Sequence, residues 1–225
     1  MKKILIISLF VLTGCAEAGQ GVALPTLNTI QTTTVKTEKI IPFTSQAPYK
    51  VWDDLHNEAC EEASVVMVNS WYKDVKSLSV KEAEKQILSL VEWEKKTFGY
   101  FEDTTMEQVG KMLVEYYKIP KDKVMVVKKT DLKTVIEYLN NGAVVIMPTA
   151  GRLLKNPYFK QPGPLYHNLV LISYDAKKKE FVVNDSGTKR GKNYRYKYDV
   201  LDKAWHDWNK EDILKGEKNV VVVRK

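Results

Sequence analysis

The sequence predicts an α+β domain on three observations. Helix-capping words and helical spacing of apolar residues fill the first half of the chain. β-Branched and aromatic runs, separated by turn residues, fill the second half, and no internal repeat links the two. With 225 residues, 44% of them apolar, the chain can bury one substantial core and has no need of two, so a single domain is expected. At 28% charged, nothing beyond the first forty residues has the composition of a disordered polymer.

The N-terminus stands apart. MKKILIISLFVLTGC places two lysines before an apolar run from Ile4 to Leu12, and small residues lead to Cys15. That run is too short to span a bilayer. Leu12-Thr13-Gly14-Cys15 resembles the bacterial lipobox, which implies that residues 1–15 are a lipoprotein signal and that a lipidated Cys15 begins the mature chain. Cleavage near Ala16 to Ala18 as an ordinary secretory signal is the alternative. The lipobox implies a protein on the cell membrane, lipid-anchored and extracytoplasmic. Residues 16–38, small, polar and Thr-rich without a period, read as a flexible tether, leaving 39–225 as the folded domain.

Four helices are expected. Asn57 can cap one over 57–72, with Ala59, Ala63, Val66, Met67 and Trp71 on one side. Ser79 with Glu82, and Thr104 with Glu107, form capping boxes opening helices over 79–95 and 104–117. A fourth runs over 131–140 and stops at Gly142. Strands follow at 124–127, 143–148, 167–174, 180–185, 194–198 and the C-terminal NVVVVRK.

Loss of Lys2 and Lys3 takes the formal net charge from +7 to +5, a mild excess whose lysines are dispersed among acids. That pattern fits solvated faces, and no nucleic-acid partner is expected. The chain has two cysteines, so with Cys15 assigned to the lipobox, Cys60 has no disulfide partner in the mature chain. A lone thiol is either a buried, inert small hydrophobe or a reactive group. Position bears on the choice. With Asn57 as cap, Cys60 sits in a first helical turn, where free N–H groups favour thiolate, while Glu58, Glu61 and Glu62 oppose it. An imidazolium partner is needed, and His167 is the candidate. HNLVLISYDAKKKEFVVNDS reads as a hairpin; if it is centred on Ala176, His167 lies directly opposite Asp185, giving an oriented imidazole–carboxylate pair. A one-residue slip would reverse one partner's face.

Four segments carry a family likeness: IPFTSQAPYKVWDD, NEACEEASVVMVNSWY, GPLYHNLVLISYD and VNDSGTKRGKNYRY. They resemble papain-like cysteine peptidases, and more narrowly the bacterial family related to the double-glycine leader peptidases of bacteriocin export. The resemblance implies a papain-like α+β fold, with N-terminal helices and the nucleophile at a helix start packed on a C-terminal antiparallel sheet. It implies catalytic roles for Cys60 as nucleophile, His167 as base and acid, Asp185 as the group orienting the ring, and Gln46 as an oxyanion donor. Leader peptidases are domains fused to transporters, whereas this sequence shows no transmembrane helix or ATPase motif, a departure that bears on leader cleavage as its role and not on the chemistry.

The remaining polar residues suggest less. His56 has a helical metal-ligand spacing to Cys60, but the Asn57 cap would leave it outside the helix, and no metal or cofactor is expected. His206, in KAWHDWNKED, belongs to a surface turn or helix whose tryptophans face inward. TAGRLLKNPYFKQPGPLY reads as a groove lip or a packed surface loop, and Asp53 and Asp54 as exposed acids able to attract a basic substrate. The expected function is hydrolysis of peptide bonds in a peptide or protein substrate by a monomer. Acyl transfer or wall-amide cleavage by the same machinery, and a non-catalytic surface binding module, are the alternatives.

Overall fold

The structure, a computed structural model, describes residues 39–225; the signal, Cys15 and the tether lie outside the described residues. Helices α1 (Asp54–Glu58), α2 (Cys60–Tyr72), α3 (Val80–Phe98) and α4 (Met106–Lys111) come first. A π-helical turn, Met112–Tyr116, extends α4. Strands β1 (Val124–Val127), β2 (Val144–Ala150), β3 (Tyr166–Asp175), β4 (Glu180–Asp185), β5 (Tyr194–Lys197) and β6 (Val220–Val223) follow, interrupted by α5 (Leu132–Asn140) and α6 (Tyr198–Ala204). The strands form one antiparallel sheet in the order β1-β6-β2-β3-β4-β5. Mixed α+β architecture is therefore as expected.

Alternation along the central strands divides the core in two. Val145 and Met147 of β2, Leu169 and Leu171 of β3, and Val220 and Val222 of β6 enter one core with α5 and α6. Val144, Ile146, Val170, Val221 and Val223 enter the other with α2, α3 and α4. Both faces are covered, which is why these strands read as unbroken apolar runs instead of alternating polar and apolar residues.

Local signals set most helix ends. Ser79 Oγ accepts from Glu82 N, and Asp131 caps α5 through Thr134 N. The capping box of α4 is shifted by one residue from the expected one, to Thr105 and Gln108, leaving Thr104 buried before the helix. Asn57 is not a cap. Asp53 accepts from His56 N and opens the short helix α1, which includes His56, and Ala59 separates it from α2. α6 is an element that the YRYKY strand pattern concealed.

The hairpin register also differs from expectation. Asp175 pairs with Glu180 and Tyr174 with Phe181, but beyond a bulge between Leu171 and Ser173 the pairs are Leu171 with Val183 and Leu169 with Asp185. Asp185 thus faces Leu169 and not His167. The displacement is two residues, an even number, so His167 and Asp185 keep a common face as diagonal neighbours. Near the turn the register is odd relative to the expected one; the bulge restores the parity that aims both side chains to one side.

Candidate active site

Asp185 ends β4 on a buried set of donors. Its Oδ1 accepts from His167 Nε2 at 2.8 Å and from Gly187 N at 3.0 Å; its Oδ2 accepts from Tyr196 Oη at 2.7 Å and Asn156 Nδ2 at 3.0 Å. Burial alone would raise this carboxyl, but the charge and hydrogen bond of His167, with Tyr196 and Gly187, outweigh it and hold it below the usual carboxylate range. A carboxylate only accepts, so His167 carries its hydrogen on Nε2. In the neutral ring Nδ1 is then the acceptor, and it is buried without a hydrogen-bond partner among the described residues.

The imidazole is held by shape as well. Phe159 meets it edge-on with ring centroids 5.3 Å apart. A Cβ at Gly187 would lie 2.9 Å from His167 Cε1 and 2.8 Å from Phe159 Cε1, and one at Gly151 would lie 3.0 Å from His167 Cβ. The loop that read as a groove lip or a packed surface is therefore part of the site: Asn156 reaches Asp185, and Phe159 covers His167. Gly191 lets the chain after β4 pass against the Asp185 backbone, where a Cβ would fall 1.7 Å from its carbonyl oxygen.

Cys60 is the first residue of α2 and is 4% exposed. Its Sγ donates to Glu61 Oε2 at 2.9 Å, and Asn168 Nδ2, from the residue after His167, lies 3.9 Å from the sulfur. No hydrogen bond joins Cys60 to His167 among the described residues. Burial pushes the thiol well above its ordinary range, and the charge and hydrogen bond of Glu61 add to this, against a smaller opposing contribution from the Asn168 backbone N–H. Two opposed effects were anticipated, a helix start favouring thiolate and glutamates disfavouring it; burial and Glu61 prevail here.

Gln46 connects the two halves. Its N–H donates to Ser186 O, next to Asp185, at 3.0 Å, and its Nε2 donates to His56 O at 2.9 Å and Asn57 O at 3.0 Å, on the segment leading to Cys60. Both amide hydrogens are thus engaged. The four expected residues share one buried neighbourhood, in which His167 and Asp185 touch directly while Cys60 and Gln46 connect through Asn168 and Ser186.

Carboxyls surround the helix start. Glu61 Oε1 accepts from Thr104 N at 2.9 Å, and Tyr166 Oη donates to Thr104 O at 3.0 Å. Burial first, and then the charge of Glu62, push Glu61 well above its usual range. Glu62 and Glu94 are fully buried against each other, and none of their four oxygens accepts a hydrogen bond from any other described residue. A cleft of about 420 Å³ adjoins α1, with Asp54, Asn57, Glu58 and Glu102 among its lining; neither Cys60 nor His167 opens onto it.

Other expectations resolve differently. His56 bridges Asp53 Oδ1 at 2.7 Å and Glu84 at 3.2 Å, so it ties α1 to α3, and Asp53 is occupied as a cap and ion-pair partner. His206 Nδ1 lies 3.1 Å from Gly216 O, while Trp205 is fully buried and donates to Asn219 O. Asn156, Phe159, Tyr196 and Gly187 were not anticipated. Tyr196 left a trace in the sequence, since a tyrosine on the buried side of an alternating YRYKY strand needs a partner for its hydroxyl.

A family model described as the Peptidase_C39 like family matches residues 39–213. Comparison with curated proteins gives no match. Among solved structures, the chain is similar to the crystal structure of a Bacillus anthracis protein assigned as a C39-like peptidase, with a TM-score of 0.55 and 14% identity over 82% of this chain and 94% of that one. At that identity the likeness establishes a common fold. Since the family model spans most of the sequence, the chain belongs to the Peptidase_C39 like family and is a cysteine peptidase.

Proposed function

We propose that the protein hydrolyses peptide bonds through a thioester on Cys60, with His167 and Asp185 as its base and orienting carboxylate. The observation supporting this most strongly is the His167–Asp185 pair, 2.8 Å apart, which leaves Nδ1 as a buried acceptor beside the residue that contacts the sulfur. Nδ1 takes the thiol proton, the thiolate attacks the substrate carbonyl, and the imidazolium returns that proton to the leaving amine. Water then adds to the thioester by the same route, releasing the acid and regenerating the thiol. Asp185 keeps the ring oriented and stabilises the imidazolium.

The Cys60 N–H and Gln46 are assigned to the oxyanion. Gln46 must first release one of its two main-chain acceptors, His56 O or Asn57 O. A donor of this kind is worth on the order of 10²- to 10³-fold in rate. The lipobox supports attachment to the outer face of the cell membrane through a lipid on Cys15.

Incubation of the purified protein with a peptide library tests the chemistry. Cleavage is expected to vanish in Cys60→Ala and His167→Ala variants that fold normally, with a thioester trapped by mass spectrometry in the parent; cleavage surviving either substitution refutes it. For the anchor, metabolic labelling with a fatty-acid analogue should require Cys15, and labelling that persists in Cys15→Ser overturns it.

A further inference from the structure

The resting thiol is bound to a carboxyl and not to the imidazole. Cys60 Sγ donates to Glu61 Oε2 at 2.9 Å, whereas His167 Nδ1, the acceptor a Cys–His peptidase needs, has no partner although it is buried. Glu61 is itself fixed, because its other oxygen accepts from Thr104 N at 2.9 Å and Thr104 O accepts from Tyr166 Oη. In the resting geometry both Glu61 oxygens are thus engaged as acceptors.

Building on the assignment of Cys60 as nucleophile, we infer that Glu61 is a positioning residue that latches the thiol in its protonated, non-nucleophilic form until the thiol proton is transferred to His167. The electrostatics at this helix start support a latch. Glu62, paired with Glu94, lies behind Glu61, Asp103 and Glu58 approach from flanking segments, and Tyr166 faces it from β3, so the carboxyls that ionise here oppose thiolate. Neutralising Glu61 removes both the acceptor that holds the S–H and the nearest negative charge. The activating step conserves charge: the S–H···Oε2 hydrogen bond breaks, the proton moves to Nδ1, and a thiolate faces an imidazolium paired with Asp185. An activated pair therefore replaces a resting one without a net change in protonation.

Thiolate absorbance near 240 nm reads this directly. In a full-length Cys15→Ser background Cys60 is the remaining cysteine, and subtraction of a Cys60→Ser control isolates its signal. Glu61→Gln preserves an acceptor for Thr104 N. It is expected to move the thiolate midpoint down by about one pH unit, a tenfold gain in thiolate below the midpoint. His167→Ala added to Glu61→Gln is expected to reverse that gain. A midpoint that stays or rises in Glu61→Gln overturns the latch, as does faster iodoacetamide labelling at every pH without a midpoint shift, which signals only a looser structure. Glu61→Asp, which keeps the charge but shortens the reach, should shift the midpoint less; a larger shift also overturns the latch. If peptide cleavage proceeds without Cys60 while the midpoint still falls, the peptidase assignment fails and the thiol–carboxyl pair stands. If cleavage needs Cys60 and His167 but the midpoint does not fall, the latch fails alone.

Discussion

His167 reaches the carboxylate of Asp185 diagonally across two strands, 2.8 Å from Nε2 to Oδ1, while Leu169 takes the directly opposed position. The contact works because Asp185 is held by three other donors and cannot swing away. Asp185→Asn should keep the volume but remove the charge, and its amide can present a donor to Nε2, favouring the wrong tautomer. The expected result is a fall in kcat of about 10³- to 10⁴-fold with KM little changed. Steady-state kinetics on a cleaved peptide check it. An equal loss carried by KM instead would mean that Asp185 serves binding.

Tyr196 separates the stability of that carboxylate from its chemistry. Tyr196→Phe removes the 2.7 Å hydroxyl donor to Oδ2 and deprives Asn156 Nδ2 of one of its two acceptors. His167 keeps its bond to Oδ1. The variant thus loses two buried hydrogen bonds, each costing about 1–3 kcal/mol at most, with roughly 2–4 °C in Tm per kcal/mol for a domain of this size. Thermal unfolding should register that fall, while kcat should drop far less than in Asp185→Asn. Equal kinetic losses in the two variants would contradict this division.

How much of this was legible in the sequence follows from which signals are local. The α5 cap at Asp131, the strands and the identities of His167 and Asp185 depend on residues within a few positions of one another, and they could be read there. The hairpin register could not. It depends on a bulge between Leu171 and Ser173 that leaves no mark in LVLISY, and only its even net displacement preserved the pairing. Asn57 is not a cap because two helical segments meet at Ala59; Asp53 is the exposed acid expected, and its capping role had no local mark. Phe159 and Asn156 lie 8 and 11 residues before His167 in a loop with no repeating pattern, so nothing local indicated that one packs on the imidazole and the other binds its carboxylate partner. The thiol's partner was adjacent in sequence, yet the direction of its hydrogen bond depends on a rotamer and on burial, which sequence spacing does not encode.

Gly187 should be sensitive for steric reasons. A methyl group there would press on both Phe159 Cε1 and His167 Cε1 at under 3 Å, and both rings are buried. Gly187→Ala is expected to tilt the imidazole and cost at least about tenfold in kcat, since misplacements of about 1 Å near reacting groups can cost around 10²-fold. Phe159→Leu in the same chain should restore part of the rate by giving the ring somewhere to move. No recovery in the double variant would show that the pressure is on His167 alone.

Glu62 and Glu94 should make stability depend on pH. Both carboxyls are fully buried on facing helices, and no other described residue donates to them, so a proton held between the two bridges them. Burial is the main cause that raises each, with Glu62 pushed to about 7 and Glu94 well above the carboxylate range. A folded-state value above the unfolded one means that the native state binds more protons, so its stability is greatest below the ordinary glutamate range and declines as pH rises through about 7. The wild-type Tm should therefore fall between pH 5 and pH 8. Glu94→Gln places an amide donor beside Glu62 and removes one buried titrating carboxyl, so it should flatten that decline and raise Tm at pH 8 by several degrees, with little effect at pH 5. Calorimetry at the two pH values decides it. Parallel declines in both proteins would mean that the pair is not the source of the pH dependence, and the carboxyl of Asp103, raised to about 6 chiefly by burial, would be the next to neutralise.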